Sequence, residues 1–114
     1  MKELIAIIRP GKWTATKAKL AKAGVTGYTT CRARGRGKQM GVRYIDAQGD
    51  EARLRMVPKR VVWLWLDDAQ LAPALGAIMD ANRTGAMGDG KIFVCPIEEA
   101  MRLRTGDRDK EAIL

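Results

Sequence analysis

The chain has 114 residues, 46% of them hydrophobic and 30% charged, enough for one domain with a real core but near the small end for burying all its apolar surface alone. A formal charge of +8, from 21 basic and 13 acidic residues, favours anionic partners such as nucleotides, nucleic acid or acidic protein surfaces without choosing among them. With no histidine, imidazole general-base catalysis, histidine metal sites and a Ser-His-Asp triad are excluded.

In chain order, residues 4–8 form a short continuous apolar run closed by Arg9-Pro10-Gly11, which reads as a strand buried on both faces. Residues 12–23, rich in alanine and lysine, predict a helix stopped by Gly24, with an apolar stripe (Trp13, Leu20, Ala23) interrupted at Thr16. Residues 28–36 read as a strand; period two puts Arg32, Arg34 and Arg36 on one face. Residues 40–55 show no sustained periodicity and read as a long exposed loop. The run Val-Val-Trp-Leu-Trp-Leu within residues 57–66 predicts a central strand. Asp67 or Asp68 then caps a helix running to about Asn82 and ending at Gly85, with a kink expected at Pro73. Residues 91–95 are the fourth strand, 97–103 a short edge segment and 105–114 a charged tail. Cys31 and Cys95 lack metal-type spacing, and the N-terminus lacks the long apolar core of a signal peptide, so a cytoplasmic chain with reduced cysteines is expected. The longest apolar run is far short of the roughly 20 residues a membrane helix needs, so no direct membrane insertion is expected.

The order is an α+β, ferredoxin-like β-α-β-β-α-β pattern with a long loop between strands two and three, in a single domain spanning residues 1–114. Two helices cover only one face of such a sheet. Strands 4–8 and 61–66 are apolar at successive positions, so the second face is apolar as well and self-association is its simplest cover.

The stretch Thr84-Gly85-Ala86-Met87-Gly88-Asp89-Gly90-Lys91-Ile92-Phe93-Val94 makes little sense as packing alone. Three glycines permit sharp turns and close approach to a ligand, and Lys91 adds a charge where the loop becomes a strand. Backbone N–H groups of such a turn form an anion nest, so phosphate is the fitting ligand. The ending differs from a Walker loop, which carries Gly-Lys-Ser/Thr and runs into a helix. The alternative is a plain helix-to-strand turn using glycine for positive φ. Further basic clusters lie at Gly35-Arg36-Gly37-Lys38-Gln39, where Gln39 offers a carbonyl oxygen suited to Mg²⁺ or a polar ligand, at Pro58-Lys59-Arg60, and at Arg102 and Arg104. Singly, each reads as a solvated basic face.

Taken with Ile-Ile-Arg-Pro at 7–10, Gly-Arg-Gly-Lys-Gln-Met-Gly at 35–41, Pro58-Lys59, the 84–94 motif and Arg-Leu-Arg-Thr-Gly at 102–106, nearly the whole chain resembles the PII signal-transduction proteins. Lys17, Pro58-Lys59-Arg60, Asn82 and Pro96-Ile97-Glu98-Glu99-Ala100 look similar to the branch encoded beside nitrogenase genes. The resemblance implies a homotrimer with ATP or ADP in each cleft between subunits and a mobile loop that docks on targets. Lys91 and Lys38 would hold phosphates with Arg102 and Arg104 of the neighbouring subunit, Lys38 standing where most relatives carry arginine. Thr29, Gly35 and Gly37 would line the nucleotide, and Gly88, Asp89 and Gly90 would wrap ribose and phosphates. Gln39 would ligate Mg²⁺ beside 2-oxoglutarate, and Lys59 would hold a carboxylate of that acid.

The 40–55 loop departs from relatives that are covalently controlled: the position matching the uridylylated tyrosine falls near Ala52, Tyr44 lies too early, and the phosphorylated serine is missing. It is also shorter than expected of the nitrogenase-linked branch. The leading expectation is a non-catalytic regulator of nitrogenase or another nitrogen-assimilation enzyme, with an ammonium channel as rival target. A basic nucleic-acid-binding module is the more distant alternative, disfavoured by the scarcity of aromatic stacking platforms. An ATP-hydrolysing enzyme lacks an obviously placed base.

Overall fold

The computed structural model describes residues 1–36 and 56–114. Its strands are β1 (Lys2–Ile8), β2 (Thr29–Gly35), β3 (Val57–Leu66) and β4 (Lys91–Pro96). They form one sheet in the order β2-β3-β1-β4, every neighbour antiparallel. The helices are α1 (Trp13–Lys22), entered through a single 3-10 turn over Pro10–Lys12, α2 (Asp68–Asn82) and the short α3 (Lys110–Ile113). Element order and sheet order are those of the β-α-β-β-α-β pattern. The 40–55 loop lies outside the described residues.

Local chemistry sets the helix ends. Gly24 takes φ 81° just beyond α1, while the Val25 N–H bonds the Leu20 carbonyl at 2.9 Å and closes the helix. Asp67 rather than Asp68 is the cap of α2: its side chain accepts the backbone N–H of Gln70, and the Gln70 side chain accepts the Asp67 N–H at 3.0 Å. α2 runs as one helix through Pro73 and stops at Asn82, because Arg83 is already extended. Thr16 does not interrupt the buried stripe of α1. It is fully buried, donates to the Lys12 carbonyl at 2.7 Å and accepts from Asn82 Nδ2 at 2.9 Å, joining the two helices through a buried polar pair in which only Asn82 Oδ1 is left without a partner.

Both long helices lie on one face of the sheet. Leu4, Ala6 and Ile8 of β1 and Val62, Leu64 and Leu66 of β3 meet Leu20, Val25, Ala74, Ala77 and Ile78 in a single core. The reading of residues 4–8 as buried on both faces is therefore corrected: burial in β1 alternates, with Ile5 and Ile7 only half-buried on the opposite side. Strand pairing places Ile5 beside Trp63 and Phe93, and Ile7 beside Val61, on that uncovered face. Trp65 is 41% exposed and Phe93 47%, an apolar surface larger than scattered exposed side chains explain.

The C-terminal expectations also change. Residues 97–100 form no strand; a lone antiparallel bridge joins Met101 to Arg108. The charged tail folds back into α3 because Arg102 Nη2 donates to the carbonyls of Glu111 and Leu114, each at 2.8 Å. Among the described residues no helix is long and apolar enough to cross a membrane.

Candidate functional site

The loop between α2 and β4 is built around one carboxylate. Asp89 Oδ2 accepts the backbone N–H of Thr84 at 2.7 Å and of Gly85 at 2.9 Å, while Oδ1 accepts the Thr84 hydroxyl. Arg9, at the end of β1, donates to Asp89 Oδ1 at 2.7 Å and to the Met87 carbonyl at 2.9 Å. The Thr84 hydroxyl and backbone, with help from Arg9 and Gly85, hold the Asp89 carboxyl far below the usual carboxylate range. Every lone-pair direction of the carboxylate is thus engaged within the loop and β1. Asp89 acts as the pin of the loop.

Gly85, Gly88 and Gly90 all take positive φ, at 85°, 93° and 108°. Gly90 is the tightest, since a Cβ there would overlap the Ile7 carbonyl oxygen. The loop therefore lies directly against the β1 backbone and delivers Lys91, the first residue of β4, opposite Ile7. Lys91 is exposed.

Register decides which other cations share its surface. Ile7 faces Val61, Val61 faces Cys31, Lys59 faces Ala33, Gly35 faces Val57 and Thr29 faces Trp63. With alternation along each strand, Lys91, Lys59, Gly35 and Thr29 all stand on the face that the helices leave bare. Two lysines, a glycine at which an added Cβ would lie 3.7 Å from the Lys59 stem and an apolar floor of Ile7 and Val61 make a surface suited to an anion with an apolar portion. Gly88, Asp89 and Gly90 lead directly into Lys91, and Asp89 and Gly90 also line a cleft between α2 and β4 with Ile8, Ile78 and Asn82. Gly37, Lys38 and Gln39 lie outside the described residues.

Arg102 and Arg104 are not brought to this end of the same chain. Ile97 bonds the Met1 carbonyl at the opposite end of β1, and Ala100 and Met101 line an open cleft with Glu3 and Trp65 there. β1, with seven residues, is roughly 20 Å long at strand rise, which separates the arginine pair from Lys91 within one subunit. Arg102 is engaged by Asp107 at 3.2 Å and by the tail carbonyls, whereas Arg104 is exposed.

The sequence reading assigned no role to Arg9 or Thr84, although both stood in its motifs. The signal that could have found them is a lone acid, Asp89, among glycines, since a half-buried carboxylate next to a backbone nest calls for a cation. Arg32 and Arg34 do share a face as expected, but by register it is the helix-bearing one, opposite Arg60 and Pro58. Arg36 lies just past the end of β2. Among the described residues no cluster of three or more acidic or cysteine side chains could hold a metal.

The family model described as Nitrogen regulatory protein P-II matches residues 1–107. The chain is 43% identical over 123 aligned positions to the "Nitrogen fixation nifHD region GlnB-like protein 2" of Methanothermobacter marburgensis, covering 99% of this chain and all of that protein. It is 41% identical to the protein of the same description from Methanobacterium ivanovii, with both chains fully covered. It is also 41% identical over 115 positions to the "Nitrogen regulatory protein P-II" of Nostoc punctiforme, covering 99% of this chain and all of the other. The first alignment is longer than the 114 residues here, so that archaeal relative carries residues this chain lacks.

Proposed function

The chain belongs to the nitrogen regulatory protein P-II family, and on that premise we propose that it reads ATP, ADP and 2-oxoglutarate at clefts between the subunits of a homotrimer. It is a signalling regulator rather than an enzyme, as its relatives' descriptions are of regulatory proteins. The observation that carries the ligand reading is the placement of Lys91 and Lys59 on the bare apolar face beside the glycine loop. A ligand on that face would be closed in by whatever covers it, and a second subunit does both.

In this reading Lys91 and Lys38 hold phosphates, Gly88 and Gly90 bring backbone N–H groups close to them, and Asp89 keeps the loop in shape. Thr29, Gly35 and Gly37 line the nucleotide. Arg102 and Arg104 reach in from a neighbouring subunit, which accounts for their distance from Lys91 in one chain. Mg²⁺ would be held by the nucleotide's phosphates and Gln39, and would supply charge neutralisation there; the Lys59 ammonium then pairs with a carboxylate of 2-oxoglutarate.

The target is a protein of nitrogen metabolism engaged by the 40–55 segment. The description of two relatives by a nitrogen fixation region favours nitrogenase or a protein acting with it; an ammonium channel is the alternative. Calorimetry with Mg²⁺-ATP and 2-oxoglutarate on the purified chain tests the reading, and failure to bind either ligand at millimolar concentration overturns it.

A further inference from the structure

We infer that Arg32, Arg34 and Arg60 form a second binding surface, separate from the nucleotide cleft, that takes a carboxylate-rich segment of the protein target. The inference rests on the reading that this chain acts by docking on a protein.

Arg32 of β2 stands directly opposite Arg60 of β3, and Arg34 follows two residues on, opposite Pro58. Directly opposed side chains in an antiparallel pair sit about 5 Å apart at Cβ, and like charges there are destabilising. Among the described residues none of these three arginines has an acidic partner, although five other ion pairs are formed. The arrangement is also held in place. The Arg60 guanidinium lies 5.8 Å from the centroid of the Trp13 ring, and Trp13 is itself fixed edge-on against Tyr28, with centroids 4.9 Å apart. Packing therefore aims one cation of the row while Arg32 and Arg34 remain exposed. The row lies on the helix-bearing face, so subunits meeting through the bare face would leave it open to solvent.

The shape of the row selects its partner. Arg32 and Arg34 are spaced by roughly 7 Å along the strand, which matches acidic side chains two apart in an extended segment. Guanidinium forks suit planar carboxylates. Nucleic acid fits less well: three charges fall short of the roughly 6–10 phosphate contacts that a duplex binder makes.

The test uses the full chain and two fluorescein-labelled probes of equal charge, an alternating glutamate-serine peptide and an oligothymidylate. Wild type should bind the peptide more tightly than the oligothymidylate. The Arg32→Gln/Arg34→Gln variant should bind the peptide at least about tenfold more weakly, whereas Lys22→Gln/Arg108→Gln, with the same charge change elsewhere, should lose less than about twofold. Equal losses in both variants, or absence of peptide binding by wild type, would overturn the proposal. Tighter, arginine-dependent oligothymidylate binding would replace it with nucleic acid. Arg34→Gln alone serves if the double variant misfolds. ATP binding measured on the same samples separates the two readings: a wild type that binds peptide but no ATP overturns the nucleotide reading and leaves this surface standing.

Discussion

Arg9 at the end of β1 and Asp89 in the loop before β4, 80 residues apart in sequence, meet at 2.7 Å and fasten the glycine-rich loop to the centre of the sheet. The same guanidinium holds the Met87 carbonyl at 2.9 Å. A glycine-rich loop is conformationally free by composition, so its shape has to come from such contacts. Replacing Arg9 with Met should leave the fold intact and speed hydrogen exchange at Thr84 and Gly85, whose N–H groups depend on Asp89 being held. Arg9→Lys, which keeps one contact, should fall between the two. Unchanged protection at those amides in Arg9→Met would mean that Thr84 alone positions the carboxylate.

The depressed acidity of Asp89 carries a pH signature. A carboxyl whose folded pKa is lowered contributes stability that is complete above its unfolded value of about 3.9 and is lost as pH falls through the folded pKa. The stability advantage of wild type over Asp89→Asn should therefore be constant from neutral pH to about 5 and shrink below about 4. Denaturant melts at a series of pH values read it; an advantage that grows on acidification would contradict the pinning role.

Gly90→Ala should be the most damaging single change in the loop. Its φ of 108° is a conformation L-residues rarely adopt, and the added methyl would run into the Ile7 carbonyl. Strained backbone alone costs on the order of 1–3 kcal/mol, and the overlap adds to it by forcing the loop off β1. Gly85→Ala, strained at φ 85° but with nothing within 4 Å of the new atom, should cost less. Paired denaturation curves give the comparison, and equal losses would show that the close approach to Ile7 relaxes freely.

How much of this was legible beforehand depends on the kind of interaction. The strands and helices are written in local patterns, apolar runs, a glycine stop at Gly24 and an Asp67 cap, and these appear where such patterns place them. The bare sheet face followed from counting helices against apolar strand positions. Thr16 misled, because a hydroxyl in an apolar stripe looks like an interruption until its partners are known, and one of them, Asn82, lies 66 residues away. Arg9 was missed for the same reason: its role exists only through a contact made across the sheet. The fold-back of the tail depends on Arg102 meeting main-chain carbonyls, which no side-chain pattern announces.

Light scattering should find a trimer. The exposed Trp65 and Phe93, with Ile5, Ile7 and Trp63 beside them, form one apolar surface, and the family resemblance supplies the number of subunits. Trp63→Glu would place a charge in the middle of that surface and should shift the protein toward monomer. A wild-type monomer at micromolar concentration would remove the shared cleft and with it the nucleotide reading.

Lys91→Ala tests the phosphate site itself. A charge-assisted hydrogen bond in a partly closed cleft contributes roughly 1.5–3 kcal/mol, so ATP affinity should fall at least about tenfold. Lys91 begins β4 and is exposed, outside the core, so folding should be unaffected and the two effects stay separable. Unchanged calorimetric titration by this variant would move the nucleotide elsewhere.

The final prediction concerns how the two ligands communicate: 2-oxoglutarate should bind tightly only when Mg²⁺-ATP is already present. Lys59 lies on the same face as Lys91, across β1 from it, so an acid held by Lys59 would sit on the same side of the sheet as phosphates held by Lys91. Gln39 precedes the 40–55 segment and Lys59 follows it, so a ligand engaging both ties together the two ends of that segment and selects among its conformations. ADP lacks the γ-phosphate and should hold Mg²⁺ poorly at Gln39, leaving 2-oxoglutarate a weaker site. Coupling is reciprocal, so the factor by which ATP tightens 2-oxoglutarate must equal the factor by which 2-oxoglutarate tightens ATP. Titrating each ligand with and without the other measures both factors, and hydrogen exchange across 40–55 should change only when all three components are present. Equal 2-oxoglutarate binding with ADP, or with no nucleotide, would show that the acid does not share a metal with ATP, even with the fold and the trimer intact.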